Sequence, residues 1–363
     1  MKLMKHLLML GLLLAGFSAH AQLAGKNVIL IQGFLPQHLL INPTDEGKAD
    51  GINYWKTFDP ALKNSATSKT LYWPSHYKIQ GSNGIAALIA RQLQPILTSG
   101  HCDNQCIIIT HSTGDLVMRY VMANKNSLLG SSLASRLKVA AFIDMAGAGG
   151  GTELANLGMD VINGINVGGD VLEALLNYLG FPISVGINPG VMYDLQTSVA
   201  RNTAVNAIPA IPRLRIAGTG DEFYGFATHP IIKGKDDSVV PLHSACGATY
   251  NGALDSCVKD LRIDGKVTSV SNAPSLSQLY DFHYPIIMTE TMAHNEMQAN
   301  KTGRPMTFAL SGANKYNTST AKTINIGVEY QTVYAWWDWF QQYRYITNAD
   351  SKTMGRVVMD SFE

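Results

Sequence analysis

Cys106-Ile107-Ile108-Ile109-Thr110-His111-Ser112-Thr113-Gly114-Asp115, continued by Leu116-Val117-Met118-Arg119-Tyr120-Val121, changes its apolar period at one serine. Before Ser112 the residues are β-branched and unbroken; after it the apolar positions 116, 117, 120 and 121 fall on one helical face. The stretch therefore predicts a strand, a sharp turn and a helix. A serine at such a turn stands proud of the sheet, and the amide of Thr113 points toward whatever the hydroxyl meets. The pattern is Thr-x-Ser-x-Gly, with Thr110 where a first glycine would bring strand and helix closest.

Further strands are expected on both sides. Asn27 to Ile31 is almost wholly apolar and ends in Gln32-Gly33-Phe34-Leu35, a turn whose Phe34 amide is a second candidate donor beside Thr113. Thr70 to Trp73, Leu137 to Ile143 and Pro212 to Thr219 continue the strand pattern, and Gly84 to Leu97 reads as an amphipathic helix. Strands alternating with helices predict an α/β fold with a mostly parallel sheet. The glycine run from Gly147 to Gly151 lacks the spacing and the Lys-Ser/Thr ending of a phosphate loop.

The chain of 363 residues is 46% apolar and 15% charged, ample for one large domain. Residues 1–21 carry Lys2, Lys5, an apolar run from Leu7 to Phe17 and the small-x-small site Ala19-His20-Ala21, which reads as a secretory signal peptide. Phe17 follows Leu14-Ala15-Gly16 where a lipoprotein would have cysteine. Without the two leader lysines, 28 basic and 27 acidic residues become 26 and 27, a balance that argues against nucleic acid. No later run reaches the ~20 apolar residues of a spanning helix. An exported chain with Cys102, Cys106, Cys246 and Cys257 suggests two disulfides, and short loops favour 102 with 106 and 246 with 257. Zinc is the weaker reading, since neither pair has C-x-x-C spacing.

Residues 152–211 interrupt the alternation and read as a helical cap or lid, with Asp170 and Glu173 as a capping box before Val171, Leu172, Leu175, Leu176 and Leu179. Lys235-Asp236-Asp237-Ser238 after the strand at 212–219 supplies a carboxylate where a histidine-orienting acid would fall, with Asp237 first and Asp236, Asp221 and Glu222 behind it. Met292-Ala293-His294-Asn295-Glu296 offers His294 as base; His283 and His243 are fallbacks, and His111 is expected to point into the packing of the turn. In the extension 304–363 the spacing from Val333 to Phe340 predicts a helix covering the sheet, with contact at a lipid surface as the other reading of its three tryptophans.

In this order the blocks Val28–Leu35, Thr110–Val121, Ala140–Ala155, Asp237–Pro241 and His294–Met297 resemble the α/β-hydrolase superfamily, and within it the secreted bacterial triacylglycerol lipases. Gly151-Thr152-Glu153-Leu154-Ala155 is similar to that family's Gly-Ser/Thr-Glu-Leu-Ala. The resemblance implies a reduced sheet of about six strands in one domain spanning 22–363, and hydrolysis of carboxylic esters of lipids. It implies Ser112 as nucleophile, Asp237 as acid, His294 as base, and the Phe34 and Thr113 amides as the oxyanion hole. No cofactor is expected. Structural calcium stays open with Glu296 as the nearest candidate ligand and no matching acidic partner, and a dedicated folding helper is a partner that some relatives require. Phospholipase, short-chain esterase and polyester depolymerase are the alternatives on the same three residues, and a non-catalytic lipid- or envelope-binding module is the alternative outside catalysis. Three departures stand out: Gln32 where the family has histidine, Thr110 for the first glycine, and Asp115 for a later one, where a carboxylate suits the first turn of a helix.

Overall fold

Two neighbouring strands set the frame, β1 (Asn27–Ile31) and β3 (Cys106–His111), paired in parallel from Asn27 opposite Cys106 to Ile31 opposite Thr110. The computed structural model describes residues 23–62, 67–169, 180, 187–203, 211–221, 228–247, 266–267, 286–289, 291–302, 305–309 and 326–362. The expected leader, the Asp170 helix, Glu222, Cys257 and His283 lie outside them.

The remaining strands are β2 (Lys69–Leu71), β4 (Val139–Met145), β5 (Arg213–Gly218), β6 (Lys266–Val267), β7 (Ile286–Thr289), β8 (Met306–Ala309), β9 (Tyr330–Ala335) and β10 (Gln341–Ile346). They form one sheet in the order β2-β1-β3-β4-β5-β7-β8-β10-β6, with β9 paired to β10 beside this path. From β2 to β7 every pairing is parallel; from β7 onward every pairing is antiparallel. The α/β class holds, but the expectation of about six strands is corrected to nine along the path among the described residues. The parallel portion has the expected extent, and the surplus comes from the C-terminal part of the chain.

That surplus includes the stretch read as a helix over 333–340. Tyr330–Ala335 and Gln341–Ile346 instead pair residue for residue as an antiparallel hairpin around Trp336–Phe340. Aromatic and β-branched side chains at 330, 332, 333, 334, 343, 345 and 346 suit a pleated surface. Trp339 and Phe340 have φ of 48° and 62°, which no right-handed helix accommodates.

Alternation along the strands fills two cores. Ile29, Ile31 and Ile108 face one side with α3 (Ile85–Thr98) and α4 (Thr113–Ala123); Val28, Leu30, Ile107 and Ile109 face the other with Trp55, Phe58 and α10 (Met354–Asp360). The other helices are α1 (Lys48–Tyr54), α2 (Phe58–Ala61), α5 (Lys125–Arg136), α6 (Glu153–Ile162), α7 (Thr197–Thr203), α8 (Leu242–Ala245) and α9 (His294–Gln298). In the described part of the 152–211 segment, Leu154, Ala155, Leu157, Met159 and Ile162 of α6 are buried.

At the N-terminal end of β3 a disulfide joins Cys102 to Cys106, with Cα atoms 4.8 Å apart. Cys246 is also disulfide-bonded, and Cys257, its expected partner, lies outside the described residues. Among the described residues no helix is long and apolar enough to cross a membrane.

Candidate active site

Ser112 occupies the corner between β3 and α4 with φ 56° and ψ −126°, a conformation that bulky L-residues avoid and that turns its side chain out of the sheet. The corner is held from three sides: the Ser112 amide donates to the Met145 carbonyl at 3.0 Å, and the Ser112 carbonyl accepts from Ala148 at 2.9 Å and Asp115 at 3.2 Å. Gly114 is obligatory here, because a Cβ would meet the Gln32 carbonyl oxygen at 2.7 Å and that of Ile31 at 2.8 Å. Thr113 opens α4, so its amide is one of the donors a helix start leaves without an intrahelical acceptor.

Gly33 brings the first turn against the serine. A Cβ on it would lie 2.8 Å from the Cβ of Ser112. The turn is fixed beyond Phe34 by the Leu35 amide, which donates to Ser75 Oγ at 2.9 Å, and before it by buried Gln32, whose side-chain amide donates to the Trp73 carbonyl at 2.9 Å. A cavity of 370 Å³ opens on this side, lined by Phe34, Leu35, Tyr54 and Asn295 among others.

Asp237 and His294 come together. Asp237 Oδ2 lies 2.9 Å from His294 Nδ1, while Oδ1 accepts from the amides of Val239 at 3.1 Å and Val240 at 2.7 Å. The His294 amide in turn donates to the Asp237 carbonyl at 3.0 Å, so backbone and side chain both lock the pair. Thr152, from the Gly151-Thr152-Glu153-Leu154-Ala155 segment, caps α6 and donates through Oγ1 to the Val239 carbonyl at 2.7 Å, tying that segment to the Asp237 loop. His294 and Ser112 are each 5% exposed. Among the described residues no hydrogen bond joins them directly; they are neighbours through His111, whose ring centroid is 4.6 Å from that of His294.

His111 points inward, as its place in the turn suggested. Nε2–H donates to the His294 carbonyl at 3.0 Å, and Nδ1 accepts from the hydroxyl of Tyr54. Burial, then the nearby His294, holds its pKa well below the ordinary histidine value, so the ring is neutral with the proton on Nε2.

The fallback residues have other partners. Asp236 accepts from the Ser238 amide at 2.7 Å and pairs with His229 Nδ1 at 2.9 Å, and Asp221 contacts His229 Nε2 at 2.6 Å. Burial works against charge on His229, but the two carboxylates outweigh it and raise its pKa. His243 is buried between Arg201, at 2.8 Å from Nδ1, and Glu153, at 3.1 Å from Nε2. Glu296 turns back on its own helix, accepting from the Ala293 amide at 3.1 Å. Among the described residues no three His, Cys, Asp or Glu side chains are grouped to hold a metal.

The two departures near the serine have buried partners of their own. Thr110 Oγ1 donates to Asp144 Oδ1 at 2.8 Å, and Asp144 Oδ2 takes Arg213 at 2.8 Å and Arg215 at 3.3 Å. Asp115 pairs with Arg119 at 2.9 Å, Arg215 at 3.1 Å and Arg213 at 3.6 Å. Burial alone would raise the Asp115 pKa; Arg119, Arg215 and Arg213 together hold it well below the usual carboxylate range. The serine corner thus rests on a buried ionic lattice as well as on the close glycine contacts at Gly33 and Gly114.

Comparison with family models finds no match, and neither does comparison with curated proteins. Among solved structures the chain is similar to bacterial lipases. Against the mature form of a Bacillus licheniformis lipase the identity is 17%, with 61% of this chain and 78% of that one covered and a TM-score of 0.40. Against the Staphylococcus hyicus lipase the values are 12%, 76%, 89% and 0.41, and against lipase 1 from Pelosinus fermentans 15%, 76%, 93% and 0.42. These likenesses concern the course of the backbone.

Tyr54, Arg119, Arg201, Arg213, Arg215 and His229 were not singled out from the sequence. A signal existed for two of them: Arg213 and Arg215 sit two apart in an otherwise apolar strand, where both must face one side and find buried anions. Tyr54 ends a short helix and carries no periodic mark.

Proposed function

We propose that the chain is an exported serine ester hydrolase acting on carboxylic esters of lipids, with Ser112 as nucleophile, His294 as general base, Asp237 as its orienting acid and the Phe34 and Thr113 amides as the oxyanion hole. One observation carries the reading: a doubly locked Asp237–His294 pair whose imidazole lies against His111, the residue before a serine in a strained strand-to-helix corner. His294 takes the Ser112 proton through Nε2 while Asp237 keeps the proton on Nδ1. The Ser112 oxygen adds to the acyl carbon, the alcohol leaves with the proton from His294, and water repeats the attack on the acyl-enzyme. Loss of either oxyanion donor should raise the barrier by about 2.7–4 kcal/mol.

Export is supported by the leader-like N-terminus and by the disulfides at Cys102–Cys106 and Cys246. The 152–211 segment is assigned as the cap whose lining selects the acyl group. A fluorophosphonate that labels the wild type but not Ser112→Ala, together with a chain-length panel of esters, tests the proposal. Absence of labelling in the folded wild type would overturn it in favour of a lipid-binding module.

A further inference from the structure

The hairpin tip between β9 and β10 holds three of the chain's five tryptophans, Trp336, Trp337 and Trp339, followed by Phe340. The other two tryptophans are buried in the core, whereas these four rings are 77%, 62%, 88% and 73% exposed. Burying apolar surface is the main driving force of folding, and a soluble surface rarely concentrates so much aromatic area in five residues without using it. The backbone holds the rings there at a cost. Trp339 and Phe340 are both in the left-handed region, where a bulky residue is an outlier, and strain of this kind persists where surrounding contacts over-determine it. Those contacts are present: the Asp338 amide donates to the Ala335 carbonyl at 3.2 Å, the Gln341 amide donates to the Asp338 carbonyl at 2.8 Å, and the Tyr343 hydroxyl donates to the Asp338 carboxylate.

We propose that this tip is an interfacial anchor that inserts its aromatic rings into the headgroup layer of an electroneutral lipid surface. Two observations choose that occupant. The Trp336 and Trp337 rings cross at 83° with centroids 6.0 Å apart, which is no platform for the flat face of a sugar but suits a medium without preferred direction in its plane. From Tyr330 to Tyr343 there is no lysine, arginine or histidine, and the single acid, Asp338, is engaged by Tyr343, so nothing in the tip recruits an anionic headgroup. Tryptophan and tyrosine favour the membrane–water boundary, where the ring is apolar and the N–H or O–H stays wet. The register adds a geometric consequence. β10 runs in the direction of β7, so the tip precedes the start of β10, at the other end from the loops that follow β1, β3 and β7 and carry the candidate site. The anchor is therefore separate from entry to the Ser112 cleft, and it stands independently of the proposed hydrolysis.

Flotation of the purified chain with phosphatidylcholine vesicles, combined with quenching of tryptophan fluorescence by brominated lipid, tests the anchor. The wild type and Ser112→Ala float and are quenched equally, at low and at high salt. A Trp336→Ser/Trp339→Ser/Phe340→Ser variant loses roughly tenfold in partition for each ring that had been buried, while its hydrolysis of a water-soluble ester is unchanged. Failure of the wild type to float, equal flotation of the triple variant, or binding that needs anionic lipid and disappears in salt would each overturn the proposal. Dimerisation without vesicles, abolished by the triple substitution, would overturn it too and make the tip a contact between copies.

Discussion

His111 and His294 are joined ring to backbone: the imidazole beside Ser112 donates its Nε2 proton to the carbonyl of the candidate base across 183 positions of sequence. Tyr54 completes the link from the side of the Gly33 turn, donating to His111 Nδ1. Serine corner, first turn and base loop are thereby braced through one neutral ring.

Removing the Tyr54 hydroxyl should leave the His111 Nδ1 acceptor buried and unsatisfied. Tyr54→Phe is expected to lose about 1–3 kcal/mol of stability by urea unfolding. It should also slow phosphonate labelling of Ser112, because the brace loosens while all three proposed reacting groups remain.

The same ring gives stability a pH dependence of known sign. His111 is neutral when folded and has an ordinary pKa when unfolded, so below about pH 6.5 the unfolded chain takes up a proton that the folded chain refuses. Folding free energy should fall as pH falls from about 7 toward 5, with up to about 1.4 kcal/mol per pH unit from this group. His76 and His101, both lowered chiefly by burial, add in the same direction. Urea midpoints across this range should show a shallower decline in His111→Asn than in the wild type.

Asp237→Asn should preserve the two backbone bonds at Oδ1 but turn an amide toward His294 Nδ1 and favour the wrong tautomer. A fall of about 10⁴-fold in kcat on a soluble ester is expected, with the fold intact by circular dichroism. Asp236→Asn, whose partner is His229, should lose far less.

Under the serine, Asp115 and Arg215 are both fully buried and 3.1 Å apart. Breaking the pair from one side, as in Arg215→Met, should destabilise by about 3–5 kcal/mol, because a carboxylate is left short of its cations. Asp115→Leu combined with Arg215→Met should cost less than the sum of the single changes. A double-mutant cycle by chemical denaturation measures that difference.

Gly33→Ala would drive a methyl group to within 2.8 Å of the Ser112 Cβ. A loss of about 1–3 kcal/mol from overpacking is expected, with a disproportionate fall in Ser112 labelling because the displaced atoms include those of Ser112 itself.

The parallel half of the sheet was legible because buried strands announce themselves by apolar runs. Asn27–Ile31 was read at its observed limits, whereas Thr70–Trp73 is Lys69–Leu71 and Leu137–Ile143 is shifted to Val139–Met145. The loop after the 212–219 strand and the Ser, Asp, His order put Asp237 and His294 first among several candidates, and the two are in contact. What escaped was set by tertiary partners that no local pattern marks. Trp336 and Trp337 looked like core because size and apolarity favour burial, yet the hairpin that carries them has little behind it, since Tyr330 to Tyr334 are all exposed. The lattice around Asp115 joins residues from 115 to 215, and no local pattern links those positions.

The distance in sequence between Ser112 and His294 also governs when the proposed site is complete. Contacts this remote form slowly, because chain entropy must be lost before they return any stabilisation. A chain emerging N-terminus first holds its serine corner long before residue 294 appears. The proposed site is thus a late product of folding, complete only once the C-terminal third of the chain has joined the sheet.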